Sequence, residues 1–281
     1  MKTQPESAPQ SLSIGQWLRR QPADLRSDCE YLLCAHLDYD RARLRRNDKQ
    51  ALSLIDTTQL DDLVKRLKDA EPLGYLLGEQ PFHNIALAVD ARVLVPRSDT
   101  ETLVELALAH CQNNDSAIRV LDLGTGSGAI AIAMAVALPA LNITATDISG
   151  DALAVAASNS SRWRTDVRLL ESNWFDAVTG RFDLIVSNPP YIPANDPHLP
   201  SLHHEPPAAL IAGNDGLADL NRIVSGAPKY LNNNGALMVE HGYDQALQVA
   251  ALFTAAGFTS VRSKRDLGNR PRVIAGQWCP A

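Results

Sequence analysis

Aromatic residues make up only 5% of this 281-residue chain, and cysteine occurs four times, at positions 29, 34, 111 and 279. Those spacings fit neither a zinc-ligand pattern nor the disulfide framework of a small secreted domain, so reduced thiols in a cytoplasmic protein are expected. Long apolar runs are missing as well. The longest, residues 129–138, falls far short of the roughly 20 residues that a bilayer-spanning helix needs. The first ten residues are polar, hold two prolines and lack the apolar core of a signal peptide. A surplus of positive charge is absent too. Lys and Arg number 26 against 32 Asp and Glu, a formal charge of −6. That balance argues against stable binding along a phosphate backbone, although a local basic patch is compatible with it. What the chain has in quantity is aliphatic side chains, as α/β proteins tend to. Its length suffices for a large core plus a smaller module.

Periodicity divides the chain into two unequal parts. Between residues 13 and 70, Ile14, Trp17 and Leu18, then Cys29, Leu32, Leu33 and Leu37, then Leu60, Leu63, Val64 and Leu67 recur at three- and four-residue intervals. The spacing predicts a bundle of four or five short helices, with starts at Asp24 and at residues 56–58. The run Arg41-Ala42-Arg43-Leu44-Arg45-Arg46 is either a solvated face or loop, or a docking surface for an acidic protein or RNA. Alternation at residues 85–89, a turn at Asp90-Ala91 and a second apolar stretch at 93–95 predict a β-hairpin that joins the two parts. Beyond it, helices at 100–111, 129–138, 151–160, 217–230 and 245–256 alternate with strands at 119–123, 142–146, 167–171, 182–186 and 235–240. Two further strands, at 259–263 and 272–275, are expected to be antiparallel to each other. Alternation of this kind implies a mainly parallel sheet covered on both faces.

Two loops carry the chemistry. The first is Val120-Leu121-Asp122-Leu123-Gly124-Thr125-Gly126-Ser127-Gly128, a strand, a glycine turn and a helix start. Glycine permits positive φ and close approach of a ligand, and a helix start offers free N–H groups. Gly124, Gly126 and Ala129 also satisfy a dinucleotide fingerprint, so the loop alone decides little. Asp147, about twenty residues on at the end of the next strand, is placed for ribose hydroxyls. Asp122 would repel a pyrophosphate but suits the cationic amino group of a methionine moiety, which favours S-adenosylmethionine over a nicotinamide dinucleotide. The second loop is Asn188-Pro189-Pro190-Tyr191, after the strand at 182–186. Two prolines stiffen it and remove competing N–H donors. The Asn188 side-chain oxygen and the Pro189 carbonyl then form a rigid pair of acceptors beside the Tyr191 ring, suited to a planar –NH₂ group.

With these loops stand Pro72-Leu73-Gly74-Tyr75-Leu76-Leu77-Gly78, Val93-Leu94-Val95-Pro96-Arg97-Ser98-Asp99-Thr100-Glu101, Val239-Glu240-His241-Gly242 and Arg265-Asp266-Leu267-Gly268-Asn269. From about residue 70 to the end, the chain resembles the N(5)-glutamine methyltransferases that modify peptide-chain release factors. The resemblance implies a class I, Rossmann-like seven-stranded methyltransferase fold with a small N-terminal helical domain. Residues 1–72 would be that domain, docking the substrate; 73–95 a hairpin linker; and 96–281 the catalytic domain. It further implies S-adenosylmethionine held by Asp122, Gly124, Thr125, Gly126, Ser127, Gly128, Asp147, Trp174 and Asn188. The acceptor glutamine, in a Gly-Gly-Gln loop of class-1 release factors, would meet Asn188, Pro189, Pro190 and Tyr191. Trp174 would pack near the adenine, or serve only as a core aromatic. Its neighbour Asn173 stands where the family usually has Asp. Arg97, Thr100 and Glu101 would shape the acceptor floor, or Ser98 and Glu101 would cap the helix that follows. His203, His204 and Glu205 fall in a substrate-gating loop, and no metal site is expected. The protein is expected to be a cytoplasmic monomer without membrane or stable nucleic-acid contacts. The Asn-Pro-Pro-Tyr loop also occurs in enzymes that methylate amino groups of nucleic-acid bases, and a sister branch acts on a ribosomal protein glutamine. A non-enzymatic sensor of the donor would have no use for an intact acceptor loop.

Overall fold

The computed structural model describes residues 11–112, 118–213 and 215–280. The N-terminal ten residues, expected above to lack a signal core, lie outside the described residues. The chain separates into two units, Met1–Leu77 and Gly78–Ala281.

Among the described residues, the first unit holds five helices: α1 (Ile14–Arg20), α2 (Arg26–Leu37), α3 (Arg41–Arg46), α4 (Leu54–Lys68) and α5 (Leu73–Leu77). They share a core in which Ile14, Trp17, Leu32, Leu33, Leu44, Leu60 and Val64 are buried. The Trp17 indole N–H still finds a partner there, donating to Asp61 at 2.7 Å. Helix α4 starts earlier than the expected Asp56, because Ser53 is its N-cap and Asp56 completes a capping box. The basic run forms α3, begun by Asp40, whose side chain accepts from the Arg43 N–H at 2.6 Å. Only Leu44 of that helix is buried. Arg41 and Arg43 lie over the Tyr31 and Tyr39 rings, at 4.8 and 4.0 Å from their centres.

The second unit opens with a hairpin whose pairing corrects the sequence expectation. Strand β2 (Ile85–Ala88) pairs with β1 (Glu79–Phe82) upstream, not with residues 93–95. The turn is His83-Asn84, with His83 at φ 51°. A two-residue loop of this kind matches the twist of antiparallel strands, whereas the longer Asp90 turn does not compete. The other edge of β2 is closed by a side chain: Asn159 accepts from the Ala88 N–H at 2.7 Å and donates to the Ala88 carbonyl at 3.0 Å. Phe82, Ile85 and Leu87 sink into the main core, so the hairpin is part of the second unit.

The sheet is built from β3 (Arg119–Leu123), β4 (Asn142–Asp147), β5 (Val167–Glu171), β6 (Phe182–Ser187), β7 (Leu231–Glu240), β8 (Thr259–Arg265) and β9 (Pro271–Gln277). Their order across the sheet is β5-β4-β3-β6-β7-β9-β8. The first five are parallel, while β9 runs antiparallel to β7 and to β8, as expected for the last pair. Helices α6 (Glu101–Cys111), α7 (Ala129–Ala137), α8 (Gly150–Trp163), α9 (Ala218–Gly226) and α10 (Ala246–Ala255) cover it. The period-two geometry of strands explains the apolar runs. Val120 of β3 with Leu184 and Val186 of β6 face the core shared with α6 and α7. Leu121, Leu123 and Ile185 face the core shared with α9 and α10. Helix α9 ends at Gly226 and continues only as a 3-10 turn, because Pro228 lacks an N–H to extend it. Among the described residues no helix is long and apolar enough to cross a membrane.

Candidate active site

Strand register alone draws the motifs together. Leu123 stands opposite Thr146 on one side and Ser187 on the other, Ser187 opposite Val239, and Asp147 opposite Glu171. Asp147 and Glu240 are the last residues of β4 and β7, and Gly124 and Asn188 are the first residues past the ends of β3 and β6, so all four lie at the carboxyl ends of four neighbouring strands. The Ser187 hydroxyl locks β6 to β3 just beneath them, donating to the Leu123 carbonyl at 2.7 Å. This is the edge of an open α/β sheet where ligands bind.

On the β3–β4 side, Gly124, Gly126 and Gly128 all adopt positive φ. A Cβ on Gly124 would stand 3.2 Å from the Trp174 ring, so the tryptophan walls the loop. A Cβ on Gly126 would meet nothing within 4 Å, which leaves that stretch of backbone open to a ligand. Gly126 donates to Asp147 Oδ2 at 2.8 Å, and Ser149 donates to Oδ1 at 2.9 Å. Each carboxylate oxygen keeps a lone pair for a further donor. Asp122 is fully buried and accepts from the Thr125 hydroxyl at 2.6 Å. Its Oδ1 is buried with no hydrogen-bond partner among the described residues. Burial, aided by the charge of Asp147, pushes its pKa up to about 7 against the pull of the Thr125 hydroxyl and the Ala131 backbone N–H. A buried carboxylate beside a glycine cradle suits the ammonium of a methionine moiety, so these residues fit S-adenosylmethionine.

Further out, a cavity of about 360 Å³ is lined by Ile148, Glu171, Ser172, Asn173, Asp176 and Ala177. Ile148 is 62% exposed there. Sequence inspection passed over it, although an apolar residue directly after a strand-terminal acid is a usable signal for a flat ligand. The Trp174 indole N–H donates to Asp219 at 3.2 Å, and Asn173 Oδ1 accepts from Arg222 at 3.1 Å.

On the β6–β7 side, the Asn188 side chain donates from Nδ2 to Thr100 Oγ1 at 3.1 Å. One of its two amide N–H groups is thereby engaged, leaving the other N–H and Oδ1. Pro189 is buried. The Tyr191 hydroxyl donates to Glu240 Oε1 at 3.3 Å, and its carbonyl accepts from the Gln245 side chain at 3.1 Å. Burial pushes the Glu240 pKa up to about 7, opposed by Thr100, Arg272 and Tyr191. The buried Arg272 reaches Asp99 at 2.8 Å, Asp266 at 3.2 Å and the His241 carbonyl at 3.4 Å.

The Pro-Arg-x-x-Thr-Glu segment therefore does more than start a helix. Ser98 makes no capping hydrogen bond, and neither end of the expected capping box forms. Glu101 accepts instead from the His83 N–H at 3.1 Å, bracing the hairpin turn. Arg97 pairs with Glu205, a buried carboxylate that also accepts from the Val95 N–H at 3.0 Å. Glu205 is thus an anchor for the loop that carries it and is committed away from His203 and His204. Arg272 and Gln245 were missed from sequence. A charged residue heading the apolar run Val273-Ile274-Ala275 was the available sign.

Residues 99–203 match the methyltransferase small domain, and residues 18–78 match the PrmC N-terminal domain. The release factor glutamine methyltransferase of Pseudomonas aeruginosa is 44% identical over 257 residues, covering 90% of this chain and 92% of that protein. The Xylella fastidiosa (strain Temecula1) protein of the same name is 45% identical over 259 residues, covering 91% and 94%. A methyltransferase structure from Pyrococcus furiosus superposes with a TM-score of 0.53 over 78% of this chain and 99% of that one. At 18% identity, that likeness is one of fold. Sequence identity over almost the whole length, on this fold, makes the chain a member of the release factor glutamine methyltransferase family.

Proposed function

We propose that the protein transfers a methyl group from S-adenosylmethionine to the side-chain amide nitrogen of the glutamine in the Gly-Gly-Gln motif of class-1 release factors. The observation that carries this is the polarity of Asn188. One N–H of its Nδ2 donates to Thr100, and in that setting Oδ1 is the group that can accept an N–H of the methyl acceptor. The names of the relatives supply the substrate class.

When bound, S-adenosylmethionine supplies an electrophilic methyl group on a positively charged sulfur. Asp122 and the N–H groups of the glycine loop would hold its methionine portion, Asp147 would hold its ribose, and Ile148 and Trp174 would offer apolar surface to its adenine. An amide nitrogen is a poor nucleophile, because its lone pair is shared with the carbonyl. Asn188 Oδ1 and the Pro189 carbonyl accept its two N–H bonds and hold electron density on nitrogen. Tyr191 keeps the amide plane in line with the methyl. Positioning of this sort supplies roughly 7–11 kcal/mol of a barrier in favourable cases. Neither acceptor is a strong base. One proton leaves the nitrogen for solvent as the new N–C bond forms.

The test is mass spectrometry of a class-1 release factor incubated with the protein and isotopically labelled donor. A single labelled methyl on the Gly-Gly-Gln glutamine is expected. Label elsewhere, or on a ribosomal protein or nucleic acid instead, would overturn the assignment.

A further inference from the structure

Large apolar side chains left singly in water are common on folded proteins and need no explanation. In the second unit they are not scattered. Among its described residues, the exposed large hydrophobics are Ile148, Tyr243, Leu247 and Leu267. Ile148 follows β4, Tyr243 and Leu247 follow β7, and Leu267 lies in the turn between β8 and β9. That turn is at the same end of the sheet, because β9 runs antiparallel to β7 and its third residue, Val273, stands opposite Glu240. All four therefore crowd the carboxyl ends of the strands. Ile148 lines the cavity on the β4 side. The other three, 58%, 86% and 101% exposed in chain order, have no part in that cavity.

The turn that carries Leu267 is stiff. The buried Asp266 accepts from the Arg270 N–H at 3.0 Å and from Arg272 Nε at 3.2 Å. Arg265 donates to the Asn269 carbonyl at 2.6 Å, and Asn269 takes φ 61°. A polar residue at position 267 would serve such a turn as well, so folding does not account for a leucine held wholly in water. A rigid apolar knob does suit docking, since little freedom is lost when it is covered. The Arg270 guanidinium lies 5.6 Å from the centre of the Tyr243 ring and ties the turn to the segment after β7. Both pieces are bonded to the acceptor corner. Gln245, between Tyr243 and Leu247, donates to the Tyr191 carbonyl at 3.1 Å. Arg272, which pins Asp266, also reaches Asp99, the neighbour of Thr100, at 2.8 Å.

The position of this ground selects its occupant. A protein that delivers a loop glutamine to Asn188 must cover what stands beside the corner. A second copy of the chain seated there would shut its own substrate out. We infer that Tyr243, Leu247 and Leu267, with Arg270 at their edge, form a docking surface for an apolar patch of the methyl-acceptor protein outside its Gly-Gly-Gln loop. This rests on the release factor reading given above.

The test uses the full-length protein. Leu267→Asp alters a side chain that lies wholly in water, and Leu247→Asp adds an acid to the first turn of α10, which the helix dipole favours. Both variants should melt within about 2 °C of the unaltered protein. Turnover of a short Gly-Gly-Gln peptide should stay within about twofold. Affinity for a whole class-1 release factor, measured by calorimetry with S-adenosylhomocysteine present, should fall about tenfold in either variant and further in the double variant. Leu267→Met should keep that affinity within about threefold. Unchanged affinity in the double variant would overturn the inference, as would a loss of peptide turnover equal to the loss of release factor binding. Sedimentation showing a dimer of the unaltered chain that Leu267→Asp dissolves would make the patch a contact between copies and overturn it too. Because binding is read without turnover, the two readings separate. A release factor that binds through this patch but gains no methyl sinks the proposed function and leaves the surface standing. A release factor that is methylated but binds both variants normally does the reverse.

Discussion

At the scale of single residues, two side chains divide the chemistry. Asn188 should be nearly silent in donor binding and decisive in transfer. Asn188→Ala removes one acceptor of the amide protons, and a misplaced reacting atom costs on the order of 100-fold in rate. Single-turnover kinetics alongside calorimetric donor affinity will separate the two; near-normal turnover would end the assignment. Asp122 works on binding and on protons. Its pKa of about 7 means that both protonation states are present near neutral pH. Pairing with a cation favours the charged form, so donor binding near pH 7 should release protons, a fraction of one per site. Calorimetry in buffers of different ionisation enthalpy measures that number. Asp122→Asn should abolish the release and weaken donor affinity by roughly 10- to 100-fold, since hydrogen bonds to charged groups are worth ~1.5–3 kcal/mol. A buffer-independent binding enthalpy in the unaltered protein would refute the pairing.

At the scale of elements, the loop between β6 and its neighbours is held by close backbone approach. Gly216 sits at φ 72°, and a Cβ there would lie 2.3 Å from the Tyr191 carbonyl oxygen. The same carbonyl is held by Gln245, whose Oε1 accepts from the Gly242 N–H at 2.8 Å. Gly216→Ala should therefore displace the acceptor loop and cut transfer far more than donor affinity, with a fall in thermal stability of a few degrees. A full-rate variant would show that the loop tolerates the shift. Element by element, the sheet and its helices were legible from period-two and helical spacing. The hairpin partner was not. Ile85–Ala88 alternates well enough to pair on either side, and the choice was made by a tight turn at His83 and by Asn159 closing the far edge from 71 residues away.

At the scale of the whole molecule, stability and function oppose each other. Asp122 and Glu240 both have folded-state pKa values of about 7, above the 3.8 and 4.5 of free groups. Between those limits the folded state binds more protons than the unfolded chain, so each acid makes stability fall as pH rises through that window. Burial lowers the pKa of His110 and His241, which contributes the opposite slope. The difference between proteins isolates the acids. Asp122→Asn should gain stability relative to the unaltered protein as pH rises from about 5 to 7, seen in melting temperature without donor. A constant difference across that range would exclude the buried-acid account. The helical unit gives a second test at this scale. Without residues 1–77, transfer to a whole release factor should fall at least about tenfold more than transfer to a short Gly-Gly-Gln peptide, each 1.4 kcal/mol of lost docking being a factor of ten. Equal losses on both substrates would remove the docking role.

By itself the sequence determined the fold class, the glycine cradle with its two acids and the stiff acceptor corner, because spacing, glycine and proline act locally on the backbone. Tertiary structure alone decided what the remaining polar residues do. Thr100, Glu240 and Arg272 lie in segments up to 172 positions apart, and strand register brings them to the same end of the sheet as buried polar groups. The physical reason is that a donor direction or a raised carboxylate pKa belongs to a group's surroundings, and surroundings form only when distant strands pair.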